Sequence, residues 1–475
     1  MPGTRVALTL VGAAVLGAAV LLRAPAGRAE RLLFTGDILL SRQVAIEMRR
    51  TGASPFDSVT PLFHKADWVG GNLEGAIGSA DACRTPDTTC FAFPDTAPVL
   101  LSRAGFSAVT IENNHAADLG REGRERTREA LRHAGILALD FVHSPAFVRV
   151  GGLTMAVVAV SLVQAADGHV DSVPSVALAQ KLRLARALAD LVTVSIHWGT
   201  ELEDWPSDTQ RRVAEWLVDE GADLVVGHHP HVVQPADCVH GHPVFFSLGN
   251  HVFDQRYPET KEGLIADCTI EHGQLRCAAV RTHARRGSAM PVVTGAAPLA
   301  ALGPCAVALR APVEVAGYAL RAAPWSPRGP DAGVVIEGWR DGVVRWTTRR
   351  VSVLSLQSGL AAGGERLLFS LERHPSAMDG EVGVRPHVYA VGAHGLVARW
   401  RGTALAWPLI DATLDVHGRL CALHRGDSFI SPDPRDPSTR TMVYAWNGFG
   451  FSAFDDSVES ASCSSTMRGL THAAQ

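Results

Sequence analysis

Between Arg31 and about residue 282, short apolar runs alternate with helical patterns, and polar, metal-binding residue types crowd at the ends of the runs. Strands are expected at 31–35, 66–70, 106–111, 136–141, 192–196, 224–226 and 244–248. Residues 148–161 read as two strands joined at Gly151-Gly152, and a hairpin is expected about His272. Helices are expected at 38–50, 176–189 and 208–220, with a charged amphipathic helix closed by Gly135. Strands alternating with helices specify an α/β layered domain.

The polar residues form a set. Asp37 follows the first strand, Asn72 and Glu74 the second, and Asn113, Asn114 and His115 the third. His197 and Glu201 follow a later strand, and His228, His229 and His231 crowd into GADLVVGHHPHVVQP. In a mostly parallel sheet the C-terminal strand ends share one edge, where ligands bind. Singly, such residues are helix caps or turn residues; five strand ends bearing them together point to a metal site. Imidazole, carboxylate and amide donors without thiolate suit Zn, Mn or Fe. With one carboxylate bridging, six such ligands hold two ions about 3.5–4 Å apart and assist an in-line displacement, with a nearby His to protonate the leaving group.

The formal net charge of -4 over 475 residues speaks against a nucleic-acid partner. Arg5, the apolar run Val6 to Leu22 and the small-residue stretch APAGRAE make residues 1–29 a secretory signal or an uncleaved N-terminal anchor. Either places the body of the protein outside the cytoplasm, periplasmic or extracellular. Eight cysteines fit that compartment, with Cys83/Cys90 and Cys268/Cys277 as local bridge candidates.

Residues 283–330, rich in Ala, Pro, Gly and Arg, read as a linker or loose joint. Residues 331–475 carry a repeat: VVIEGWRDGVVRW (334–346) aligns on VYAVGAHGLVARW (388–400), with a third copy starting at Val443. RLLFSL (366–371) echoes RLCALH (419–424). Each unit reads as a β-hairpin, so the region is expected to be a β-rich array of blade-like units with its aromatics in the core.

The stretches FTGDILLSR, NLEGAI, NNHAADLG, SIHWGTELE, GADLVVGHHPHVVQP and FFSLGNHVFDQ, in that order, resemble the CapA family of capsule and poly-gamma-glutamate biosynthesis proteins, which is related to calcineurin-like metallophosphoesterases. The resemblance covers about residues 31–282 and implies a metallophosphoesterase-like fold. It also implies that Asp37 is the first metal aspartate, Glu74 the bridging carboxylate and Asn114 the amide ligand of a second metal. His197, His229 and His231 are then ligands, and His115 assists the leaving group. His228 is left without a ligand role, and Asn250 and Asp254 support the site. Four positions depart from the pattern. Leu39 stands where calcineurin-like enzymes carry His, and Glu74 where they carry Asp. His251 occupies a usually aromatic position, and Glu112 a usually small one. Two functions follow from different classes. One is a metal-dependent hydrolase of a capsule or envelope polymer; the other is a non-catalytic accessory protein that binds polymer or the capsule synthesis machinery.

Overall fold

The computed structural model describes residues 29–83, 89–297, 305–324, 334–349, 351–362, 365–375, 382–402, 405, 408–426, 438–453 and 463. The expected export signal or anchor, apart from Ala29, lies outside them. Among the described residues no helix is long and apolar enough to cross a membrane.

The alternating part folds into two sheets, where a single strand-end edge was expected. Strand Glu30–Ile38 is central to the first sheet. It pairs in parallel with Trp68–Leu73, which continues in parallel to Ala108–Thr110 and Leu137–Leu139. On its other side it pairs antiparallel with Glu262–Glu271. The second sheet runs Val233–Val239, His242–Leu248, Leu224–His228, Leu191–His197, Leu153–Ser161, Ala146–Val150, parallel except at its two edges. The sheets pack face to face through Leu32, Phe34, Trp68, Val157, Leu191, Leu224 and Val226. Strands apolar on both sides need cover on both faces. Helices Arg42–Thr51 and Ala97–Ala104 cover the outer face of the first sheet, and Val176–Leu188 and Asp208–Asp219 that of the second. Ser207 and Gln210 begin the last of these as a reciprocal capping box.

The first strand runs to Ile38, so the helix expected from there starts four residues later, at Arg42. The reason is tertiary. The Asp37 amide bonds the Gly249 carbonyl at 3.0 Å, and Asn250–Val252 adds a parallel partner. Gly36 permits that approach, since a Cβ there would sit 1.9 Å from the Gly249 oxygen.

The stretch expected as a linker is partly strand. Pro291–Ala297 and Val307–Ala308 extend the first sheet, while Glu314–Val315 and Tyr318–Pro324 open the next. Three four-stranded antiparallel sheets follow, and in each the repeated motif is the last hairpin. Trp346 is buried, and Trp400, Trp446 and Phe451 pack edge to face. Leu320, Ile336, Leu356 and Leu368 share a core with helix Val176–Leu188, so the repeats are built onto the α/β part.

All eight cysteines are bridged, including both local pairs, Cys83–Cys90 and Cys268–Cys277. Two bridges are long-range, Cys238–Cys305 and Cys421–Cys463. Cys238–Cys305 ties an edge strand of the second sheet to the chain beside Val307–Ala308 of the first, at a sequence separation of 67. Closing a loop of that size removes unfolded-state entropy worth about 2–4 kcal/mol. The double variant Cys238→Ser/Cys305→Ser is therefore expected to lose about that much in urea unfolding; an unchanged midpoint would refute the role given to this bridge.

Candidate metal centre

Strand register assembles the centre. In the first sheet Asp37 lies beside Asn72 on one side and Asn250 on the other. In the second, His228 lies beside His197. These strand ends, drawn from both sheets, meet at one rim.

Asp37 is fully buried and is the hub. Its Oδ1 accepts from Asn72 Nδ2 at 2.8 Å, and its Oδ2 from the His229 backbone N–H at 3.3 Å. His231 Nδ1 lies 3.2 Å from Oδ2, and His228 Nδ1 3.5 Å from Oδ1. Glu74, also fully buried, is placed by its own N–H on the Ile38 carbonyl, and its Oε1 is 3.4 Å from His231 Nε2. His197 Nε2 is 2.8 Å from Asn114 Oδ1. His229 and His231 flank Pro230 with φ of 98° and 59°, left-handed values rare for non-glycine residues. That turn brings their ring centroids to 6.0 Å apart, and the His229 ring to 4.8 Å from His197. Such strain is tolerated where the surroundings over-determine it, as they do here.

Three groups of ligand atoms converge within 4.8 Å: Glu74, His197 and His229; Asp37, Glu74 and His231; and Glu201, His229 and His231. Glu74 belongs to both fully buried groups. The charges are uneven. Burial would raise the Asp37 carboxyl, yet His228 and His231 hold it well below the usual carboxylate range. Glu74 is raised by its burial. Burial opposes a charge on His231, but Glu74 and Asp37 carry it well above the usual imidazole range. Burial pushes His197 well down and His229 to about 4, so both are neutral near pH 7 with a lone pair available to a cation.

The residues fit a metal. His229 Nδ1 is buried without a hydrogen-bond partner, an orphan that costs about 1–3 kcal/mol, and Glu74 Oε1 has no well-formed hydrogen bond, only the 3.4 Å approach of His231 Nε2. Among these residues an ion would satisfy both. With every cysteine in a disulfide, the donors are nitrogen and oxygen alone.

His115 stacks on Phe91 at 3.8 Å, and its Nδ1 is 2.9 Å from Asp118 Oδ2. Asp118 is itself held by the Phe91 N–H. Asn250 Oδ1 is 2.9 Å from His231 Nδ1, which orients that ring. Asp254 sits further out, paired with Arg42. Asn72, Asn113 and Glu201 stand at strand ends in the sequence, where local pattern gives them no ligand role. Asn72 Nδ2 faces Asp37, Glu74 and His197 together, and Asn113 Nδ2 holds Asn72 Oδ1 at 2.9 Å. Only strand register reveals this. Glu201, four residues after His197, is exposed at the rim, where the Leu202 N–H anchors its loop to the Pro230 carbonyl.

The profile of the family described as "Bacterial capsule synthesis protein PGA_cap" matches residues 31–255. The chain is 31% identical over 292 residues to the capsule biosynthesis protein CapA of Bacillus anthracis, covering 56% of this chain and 70% of that protein. The chain belongs to this capsule synthesis family. The PGA biosynthesis protein CapA of Bacillus subtilis is also 31% identical, over 249 residues, 49% of this chain and 65% of that one. This member thus spans just under two thirds of the B. subtilis relative. A Mycobacterium tuberculosis relative, described as a probable polyglutamine synthesis accessory protein, is 26% identical over 209 residues, 38% of this chain and 54% of its own. A crystal structure described as a novel phosphatase, from Mycoplasma pneumoniae, overlays with a TM-score of 0.37 at 13% identity, covering 54% of this chain and 93% of that one. All seven expected site residues lie in the matched segment, and the β repeats lie beyond it.

Proposed function

We propose that this protein is a metal-dependent hydrolase that acts outside the cytoplasm on a capsule or envelope polymer such as poly-gamma-glutamate, or on its precursor. The observation that carries this reading is Glu74, shared between two buried ligand groups, as a carboxylate bridging two ions would be. Asp37, Glu74 and His231 would hold one ion; Glu74, His197 and His229, with the Asn114 amide oxygen, would hold the other. The donor set suits Mn, Zn or Fe. A bound pair supplies Lewis acidity for displacement at phosphorus or at a carbonyl. The chain's own groups do the rest. Asn72 fixes both carboxylates, Asn250 orients His231, and His115, its Nδ1 on Asp118, keeps Nε2 to carry a proton to the leaving group. Four disulfides and the expected N-terminal signal or anchor support export, with polymer or the capsule synthesis machinery as partners.

The test is metal analysis joined to turnover. Glu74→Gln is expected to lower the metal content of purified protein from two ions to one or none. His115→Ala is expected to keep the metal and lose about 10²–10⁴-fold in turnover of a generic phosphodiester or a γ-glutamyl oligomer. Protein without stoichiometric metal, or full activity in His229→Ala, sinks the hydrolase reading. One observation favours the accessory role: buried Leu39 stands where related enzymes supply a histidine. Metal retention with no turnover on either substrate would favour that reading.

A further inference from the structure

The β-rich region contains a cavity of about 360 Å³ with a mixed polar and apolar lining, between the hairpin Val334–Arg340/Val343–Thr347 and the sheet from Val353 to Arg401. Its lining includes Arg349, Arg401, Glu372, Tyr389, Ser370 and His394. Small-molecule sites run about 300–1,000 Å³, so the space admits a small polar ligand or a short run of polymer, not a folded partner.

The charges are arranged unusually. Glu372 is 4% exposed, and a carboxylate so buried is normally paired with a cation. Here Oε1 accepts from the Tyr389 hydroxyl at 2.8 Å and the Ser370 hydroxyl at 3.2 Å, and the nearest charged partner is His387 Nδ1 at 3.7 Å. Burial lowers His387, so near pH 7 it brings no positive charge, and its Nδ1 is itself a buried atom without a hydrogen-bond partner. Arg349 and Arg401 are exposed, and neither guanidinium has an ion pair among the described residues. A buried acceptor on the floor and two exposed guanidiniums at the rim, without an ion pair among the described residues, ask for a ligand that carries an N–H donor close to a carboxylate.

We infer that this cavity binds a carboxylate-bearing amide chain of the γ-glutamyl type, with its carboxylate on Arg349 and Arg401 and its amide N–H toward Glu372. In a γ-linked glutamyl unit the carbon that bears the amide nitrogen also bears the free carboxylate, which matches this pairing at short range. The choice of polymer rests on the proposed function; the donor-and-carboxylate demand does not. The cavity residues are distinct from the metal centre, so the repeats hold the chain by a second grip.

The experiment is isothermal titration of the full-length protein with a γ-linked glutamyl tetramer and, separately, with free glutamate. The tetramer is expected to bind with a component that weakens with salt and that is about tenfold or more weaker in Arg349→Ala/Arg401→Ala. These arginines are exposed, so thermal unfolding of that variant is expected to match the parent. Glu372→Gln is expected to weaken binding in the same way. Asp37→Asn, at the metal centre, is expected to lose turnover and to keep the arginine-dependent binding, whereas failure of the hydrolase reading shows as a parent protein that binds the tetramer without turning it over. No tetramer binding, unchanged affinity in the arginine double variant, or free glutamate binding as tightly as the tetramer would each overturn the inference.

Discussion

Asp37→Ala is expected to cost more than about 100-fold in metal affinity, a larger loss than supporting residues around a metal typically cause. It is also expected to destabilise the metal-free protein by about 3–5 kcal/mol. Both effects follow from what the carboxylate touches. Its removal takes the shorter of two carboxylate acceptors from the Asn72 amide, leaving Glu74 Oε2 at 3.3 Å, and leaves the His229 N–H without its acceptor. It also leaves His231 with Glu74 as its one close carboxylate in a fully buried site. Asp37→Asn keeps the shape and removes the charge, and so separates lost packing from lost electrostatics. Elemental analysis of the purified variants, with thermal unfolding in chelator, reads both quantities. A full metal complement in Asp37→Ala would remove Asp37 from the ligand set.

The second large effect concerns acid stability and lies outside the centre. His251 packs as an aromatic side chain would. Its ring stacks on Phe56 and Phe63, with centroids 6.2 and 5.8 Å away, and neither ring nitrogen has a hydrogen-bond partner. Burial lowers it to about 3. At pH 7 it is neutral folded and unfolded, so it imposes no charge penalty there. Below the ordinary histidine value of about 6.5, the unfolded chain takes up the proton and the folded chain does not. Stability then falls by about 1.4 kcal/mol per pH unit, about 3 kcal/mol by pH 4 and about 4 kcal/mol by pH 3, where the folded imidazole itself begins to protonate. His251→Phe removes this component. Urea unfolding at pH 7 and pH 4 is expected to show the Phe variant losing about 3 kcal/mol less than the parent. Equal losses in both proteins would mean that His251 is protonated, or paired, in the folded state.

Much of the site was legible in the chain, and for one reason. Parallel strands end on a shared rim, so a polar residue just past an apolar run is placed by local pattern alone. Asp37, Glu74, His197 and the cluster His228, His229 and His231 stand out that way; setting His228 apart from the other two is what the family resemblance implies. The role of Asn72 is not written locally, because it depends on which strand lies beside it; register with Asp37 puts its amide between two carboxylates. Glu112 has a comparable explanation. Its carboxylate takes Arg124 and the Phe141 N–H, and so ties helix Gly120–His133 to the chain leaving Leu137–Leu139, a contact between segments far apart in the local pattern. The hairpin repeats were legible because period-2 alternation and Gly turns are local signals. Their mounting on helix Val176–Leu188 was not, because an apolar helix face does not name the surface that covers it.

By itself, then, the sequence determined the α/β alternation, the donor types at the strand ends, the two local disulfides and the β character of the repeats. All of these are written in neighbouring residues. Only the tertiary structure decided that the strand ends come from two facing sheets, that Glu74 is common to two ligand groups, and that Cys238 reaches Cys305. It alone decided, too, that a buried carboxylate in the repeats faces a cavity rimmed by arginines. Those features depend on which distant segments are pressed together when apolar faces leave water, and burial of apolar surface is non-directional. Register, close glycine contacts and hydrogen-bond geometry supply the direction, and they exist only once the chain is folded.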